Sequence, residues 1–275
     1  MPNITARQWS IAIGLSLLAA LLTTAALMLL GPDYSKFAPA TCTATHCFCE
    51  MPRLGALFLQ PSDTWSAYGY VVAGFLMIVL AGVSAWDSAF PRTAARTFGV
   101  TAIIVGLGSV LLHATLTLWG QFFDVLGMYL VGSFLLVRAI ARWQSIPDRH
   151  AILLYLALCA TLTAVLVVEP EVRRWLFAVV LVLAILIELI FARPLRNGAL
   201  VRFYLFGILA KAVAFAIWIL DQRGTLCSPG SLVQGHAIWH LLGAFSIWLS
   251  FSYYRSERPA GTLEANNVSI NSAIP

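Results

Sequence analysis

The chain has 275 residues, of which 60% are hydrophobic and only 11% charged, and its mean hydropathy is +0.85. Soluble domains carry about 25% charged residues, so this composition excludes a soluble globular protein and describes an integral membrane one. The formal net charge of +5 has no soluble basic face to reside on, and no nucleic-acid partner is expected; the bilayer is the partner.

Successive apolar runs of roughly 20 residues match the ~30 Å hydrocarbon layer of a membrane. In chain order they predict eight helices, at 9–31, 64–86, 98–118, 121–141, 151–168, 174–194, 203–220 and 233–254. The predicted fold class is an all-α polytopic helix bundle with short loops and no soluble domain. The first run follows Arg7 as a signal peptide would, but its apolar core exceeds the roughly 7–15 residues of such a signal. No small-residue cleavage site follows Leu30, so 1–31 reads as a retained helix. The polar stretch 255–275 reads as a disordered cytoplasmic tail.

With the N-terminus inside, eleven of the 17 Lys and Arg residues fall in inner segments and five in outer ones, with Lys211 left within a span. The positive-inside rule therefore puts both termini in the cytoplasm. Cys42, Cys47, Cys49 and Cys227 then lie in outer loops and Cys159 in a span. Disulfides need an oxidising compartment, which agrees with this orientation, although four cysteines allow three pairings. Cys47 and Cys49 could instead hold a metal, but only His46 is near, and disulfides are the favoured reading. His46 and His150 lie in loops and carry no signal.

Ionisable groups within spans are costly and mark function by default. Ser109 and His113 stand four residues apart near the outer end of the third span, on one helical face. Asp124 enters the fourth span from outside, and His236 and His240 open the eighth. At 1.5 Å per residue His113 lies ~7 Å from the outer end and the other two histidines ~5–10 Å in, so all five groups share one depth. Three imidazoles, a carboxylate and a hydroxyl are what a hydrolytic zinc centre needs: three ligands with a fourth position for water, a proton-moving carboxylate, and a donor to the oxyanion.

A lone intramembrane histidine is ordinarily a hydrogen-bonded core residue, and the His236/His240 spacing also arises by chance. A proton-coupled transporter would use similar groups, but the inner halves of spans three and eight are almost wholly apolar, which favours a site open to one face. Asp63 reads as the N-cap of the second span. Glu188 and Lys211, both counted into the inner half of their spans, read as a structural ion pair between the sixth and seventh helices.

The spaced set Ser109, His113, Asp124, His236 and His240 resembles the signature of the alkaline ceramidases, within a membrane-hydrolase superfamily that includes the progestin and adipoQ receptors. Cys49 and Glu50, Asp63 to Ser66, and Trp218 to Asp221 before Cys227 agree with it, over about residues 45–254. The resemblance implies a seven-helix core (32–254) preceded by one extra helix. It implies zinc on His113, His236 and His240, Asp124 as the water-activating base and Ser109 as the oxyanion donor. It further implies cleavage of the N-acyl amide of a membrane lipid, ceramide or a relative, with Trp239 against the substrate. A lipid-binding receptor of the same superfamily is the alternative. It favours a Cys49–Cys227 disulfide, leaving Cys42 and Cys47 as a second pair. Eukaryotic members bind calcium at positions that here read Cys47, Phe48, Glu50, Pro52 and Gln60; only Glu50 keeps a carboxylate, and no calcium site is expected. Together with the extra helix, this points to a bacterial inner-membrane relative with its site near the periplasmic face.

Overall fold

The computed structural model describes residues 4–45, 47–83, 86–192 and 199–258. Helix α1 (Ala6–Leu30) is followed by a loop with a 3₁₀ turn at Thr41–Thr45. Helix α2 (Pro61–Ser66) runs through Ala67 into α3 (Tyr68–Ala81). Then come α4 (Arg92–Thr115), α5 (Leu118–Gln144), α6 (Asp148–Val168), α7 (Arg173–Leu186) with a π-helical turn at Ile187–Phe191, α8 (Val201–Gln222) and α9 (Gly235–Arg255). Among the described residues the fold is an all-α bundle, as predicted. The tail expected at 259–275, His46 and the Arg193 and Arg196 positions lie outside the described residues.

Seven segments, α2 and α3 counted as one, are long and apolar enough to cross a membrane; α9 is not among them. The reason lies in its surroundings. Helix α9 buries two histidines, Ser246, Ser250, Ser252, Tyr253 and Tyr254 against other helices, so protein and not lipid sets its composition. Helix α1 is the opposite case: it exposes Leu17, Leu21 and Leu22 and rests on α3, with Thr23 hydrogen-bonded to Tyr68, while Leu27 joins the apolar cluster of the following loop with Tyr34 and Leu59.

In hydrocarbon, helices gain little from apolar burial against each other, and small residues that permit close backbone approach hold them together. A β-carbon on Gly74 would stand 2.5 Å from the Gly99 carbonyl oxygen, which locks α3 to α4. On α4, one placed on Gly108 would stand 2.4 Å from the Phe123 carbonyl oxygen; on α5, one on Gly127 would stand 2.7 Å from Val105 Cα. Backbones thus touch along α4 and α5, and the Gly108 contact sets Asp124 beside Ser109.

The expected Glu188–Lys211 ion pair does not form. Glu188 Oε1 lies 3.1 Å from Arg142 Nε and accepts from the Tyr253 hydroxyl. Glu257, at the start of the expected tail, is buried and pairs with Arg142 and, at 4.0 Å, with Arg138. Counting along spans gives depth but not facing. Helix α7 packs on α5 and barely touches α8, so Glu188 meets the α5 arginines while Lys211 faces elsewhere.

Gly108→Leu must push α5 off α4. Overpacking of this kind costs on the order of 1–3 kcal/mol, and we expect a lowered melting temperature in detergent. An unchanged melting temperature would mean that the two backbones do not meet there.

Candidate metal centre and active site

Helix α4 ends at Leu116, whose φ of +49° turns the chain out of the helix. The carbonyls left open at such an end need donors, and the preceding loops supply them. Leu59 N donates to the Ala114 carbonyl at 3.0 Å, Gln60 N to that of His113 at 3.0 Å, and Ala40 N to that of Leu116 at 2.8 Å. His113 is therefore held by loop backbone as well as by its helix. Its Nδ1–H donates to Gln60 Oε1 at 3.0 Å, while Gln60 Nε2 donates to the Glu50 carbonyl at 2.8 Å and so fixes which way the amide points. Asp63 Oδ2 lies 3.7 Å from the same nitrogen.

The start of α9 is held by a distant carboxylate. Asp221, on α8, accepts from the backbone N–H of Cys49 at 3.3 Å and lies against Gly235, the first residue of α9, where negative charge is favoured at a helix N-terminus. The Cys49–Cys227 disulfide ties the same loops together, and Cys42–Cys47 closes the loop beside it, both pairs as the resemblance implies. One turn into α9, His240 Nδ1–H donates to the Asp63 carbonyl at 3.0 Å and lies 2.9 Å from Ser66 Oγ, while Ser109 Oγ donates to His240 Nε2 at 3.1 Å.

These constraints bring His113, His236 and His240 into one buried cluster, one nitrogen from each lying within 4.8 Å of the others. Phe48 roofs it, its ring 4.0 Å from that of His236 and 4.6 Å from that of His113. The donor chemistry fits a metal ion. His113 and His240 donate through Nδ1, which leaves Nε2 unprotonated; that of His240 receives the Ser109 hydroxyl, while His113 Nε2 and His236 Nδ1 are buried with no hydrogen-bond partner. Holding one imidazole nitrogen by a carbonyl or carboxylate to free the other is how metal-binding histidines are oriented.

Ser109, Asp124, His236, His240 and Trp239 all line a cavity of about 750 Å³, in which the Asp124 carboxylate lies beside the Ser109 hydroxyl. Its walls are the facing sides of α5, α7, α8 and α9, with Arg173 and Arg174 at the rim. Arg173 is buried and donates to Thr41 Oγ1 at 2.9 Å. Trp239 packs edge-on against Phe215 at 4.6 Å. The scarcely packed seam between α7 and α8 makes the lipid side the natural way in.

Three details differ from expectation. His113 is two residues from the end of α4 and His236 the second residue of α9, so the cluster sits at the helix mouths and owes its burial to the loop at 37–60. Asp63 is no N-cap: it is the third residue of α2, fully buried beside His113. Its place as cap is taken by Glu50, whose two carboxylate oxygens accept from Ser62 N and Asp63 N at 2.9 Å each. Glu50 and Gln60, the polar remnants of the calcium positions, are thus engaged within the protein. Gln60, Phe48, Ser66 and Tyr70 carry no motif of their own, and only contact with a histidine reveals them.

The ceramidase family model matches residues 41–258. The chain belongs to the ceramidase family. The match takes in every residue of the centre and begins after α1, which leaves that helix outside it. No curated protein matches the chain. Ceramidases are amide hydrolases, and a buried cluster of three histidines on the wall of an intramembrane cavity is a site where such chemistry can proceed out of bulk water. In this ceramidase, Gln60→Leu removes the acceptor that holds His113. Partners of this kind are worth 10–100-fold in metal affinity, and we expect a loss of about that size in zinc competition against a chelator.

Proposed function

We propose that this chain is a zinc-dependent intramembrane amidase that cleaves the N-acyl amide bond of ceramide or a related lipid, releasing a fatty acid and an amine. The observation that supports it most is the convergence of His113, His236 and His240 within 4.8 Å on a wall shared with Ser109 and Asp124. An all-nitrogen donor set with no redox partner suits zinc. Zinc held there supplies a Lewis acid for the amide carbonyl and lowers the pKa of water to about 7.

The protein's own groups then divide the work. Asp124, not a ligand, takes the proton from the attacking water and returns it to the leaving nitrogen, as a carboxylate placed for general acid–base catalysis does. Ser109, which sits between His240 and Asp124, turns its hydroxyl toward the oxyanion that develops on the carbonyl oxygen. Trp239 and Phe215 give the lipid an apolar wall. The roof of Phe48 and the two disulfides keep bulk water from the histidines.

The same reading sets the compartment. The two disulfides belong on an oxidising side, which supports a site at the periplasmic face of a bacterial inner membrane with both termini in the cytoplasm, and α1 reads as an addition outside the seven-helix core.

His240→Ala is expected to abolish both bound zinc and hydrolysis. Asp124→Asn should keep zinc and lose 10²–10⁴-fold in turnover, and Ser109→Ala about 10²–10³-fold. Elemental analysis of purified protein and mass spectrometry of released fatty acid read these outcomes; full hydrolysis by His240→Ala protein would sink the metal role.

A further inference from the structure

The proposed hydrolysis leaves Lys211 without a task, although it is the one cation in the middle of a spanning helix. It lines the cavity from α8, and among the described residues it forms no ion pair. Its ammonium instead lies 4.6 Å from the centre of the Trp239 ring. An uncompensated charge in hydrocarbon is expensive and marks a ligand path by default. A cation held on an aromatic face keeps its charge available for an anion.

Lys211 is placed against the metal centre. A β-carbon on Gly243 would stand 3.2 Å from Lys211 Nζ and 1.9 Å from the Tyr70 hydroxyl, so both donors reach into a notch that only glycine leaves open. Gly243 follows His240 by three residues, which makes the notch a helical neighbour of a metal ligand, about 5–6 Å away. Tyr70 also lines the cavity and stands edge-on to the His240 ring. The cavity lining carries more positive than negative charge: the cations Arg173, Arg174 and Lys211 stand against the carboxylates Asp124 and Glu171. Of those carboxylates, Glu171 pairs with Arg173.

We propose that Lys211 and Tyr70 form an anion subsite that takes a carboxylate on the amine half of the substrate, one carbon beyond the amide nitrogen. This rests on the amidase reading and narrows its substrate to N-acyl amino acids and lipids built like them, ahead of neutral ceramide. The spacing fits: carbons on either side of a trans amide are about 3.8 Å apart, so a carboxylate on the far one reaches a notch one turn from the ligand that faces the carbonyl. A neutral amide alcohol leaves the ammonium unpaired.

The test uses full-length zinc-loaded protein in detergent, with N-palmitoylglycine, N-palmitoylethanolamine and C16 ceramide. We expect the wild type to favour N-palmitoylglycine over the ethanolamide by tenfold or more in kcat/KM. Lys211→Met should erase that ratio with zinc content unchanged, and Lys211→Arg should restore part of it. Equal ratios in wild type and Lys211→Met, or a proportional loss on all substrates, overturn the subsite while leaving the amidase reading standing. If no amide is cleaved, that reading fails instead, and calorimetric binding decides the subsite: Lys211-dependent preference for N-palmitoylglycine over the ethanolamide supports it, and equal binding overturns it. Lys211-dependent binding of palmitate without any preference between the amides assigns the ammonium to the released acid and overturns the substrate assignment.

Discussion

An imidazole buried among lipid-facing helices is tolerable only when one nitrogen is hydrogen-bonded, and it is useful to a metal only when the other is not. The placement of loops and helix ends at the outer mouth follows from holding one nitrogen on each of two histidines. Gln60 meets it for His113, and the Asp63 carbonyl with Ser66 meets it for His240. Gln60 in turn is fixed by the Glu50 carbonyl, and the backbone around Asp63 by the Glu50 carboxylate. A chain of hydrogen bonds thus runs from one loop residue, Glu50, to two of the three histidines on different helices.

That dependence explains why the loop is so heavily tied. Its neighbours Cys49 and Cys47 are both in disulfides, its backbone at Cys49 is received by Asp221, and its far end joins the Thr117 region through a β-bridge at Pro39. A crosslink stabilises mainly by restricting the unfolded chain. Here it also keeps Phe48 over the imidazoles. Loops are ordinarily the mobile part of a membrane protein; this one behaves as a wall of the site.

The spans and the five polar groups of the site were legible in the sequence because both express the same cost: apolar length where lipid surrounds the chain, and polar groups only where they are used. What the sequence hid follows from the limits of that signal. Counting residues along a helix gives depth but not the direction a side chain faces, so Glu188 and Lys211 looked like partners although they face different neighbours. Asp63, immediately before the second apolar run at 64–86, looked like a cap because the sequence does not show that the helix starts earlier, at Pro61, and that Glu50 occupies that role. Hydropathy likewise undervalues α9, whose serines and tyrosines are polar because the bundle surrounds them. Gln60 and Phe48 are ordinary loop residues until the fold presses them on a histidine.

The glycines connect this precision to the lipid environment. Hydrophobic burial cannot specify how two helices meet when the solvent is itself apolar, so the register of α4 against α5 has to come from shape. The notch at Gly108 sets it within one residue of Ser109, and the contact it makes is with the backbone of Phe123 and Asp124. The Asp124 carboxylate and the Ser109 hydroxyl are therefore aligned by backbone contact between their helices and not by flexible side chains. On the other wall, α7 and α8 lack such a contact, and the seam they leave is where a two-chained or long-chained lipid can part them. Tight packing on the catalytic side and loose packing on the access side follow from the same rule applied to different residues: where glycines face a neighbouring backbone the helices close, and where bulky Trp175, Leu181, Phe215 and Trp218 line the gap they stand apart and leave room for the substrate.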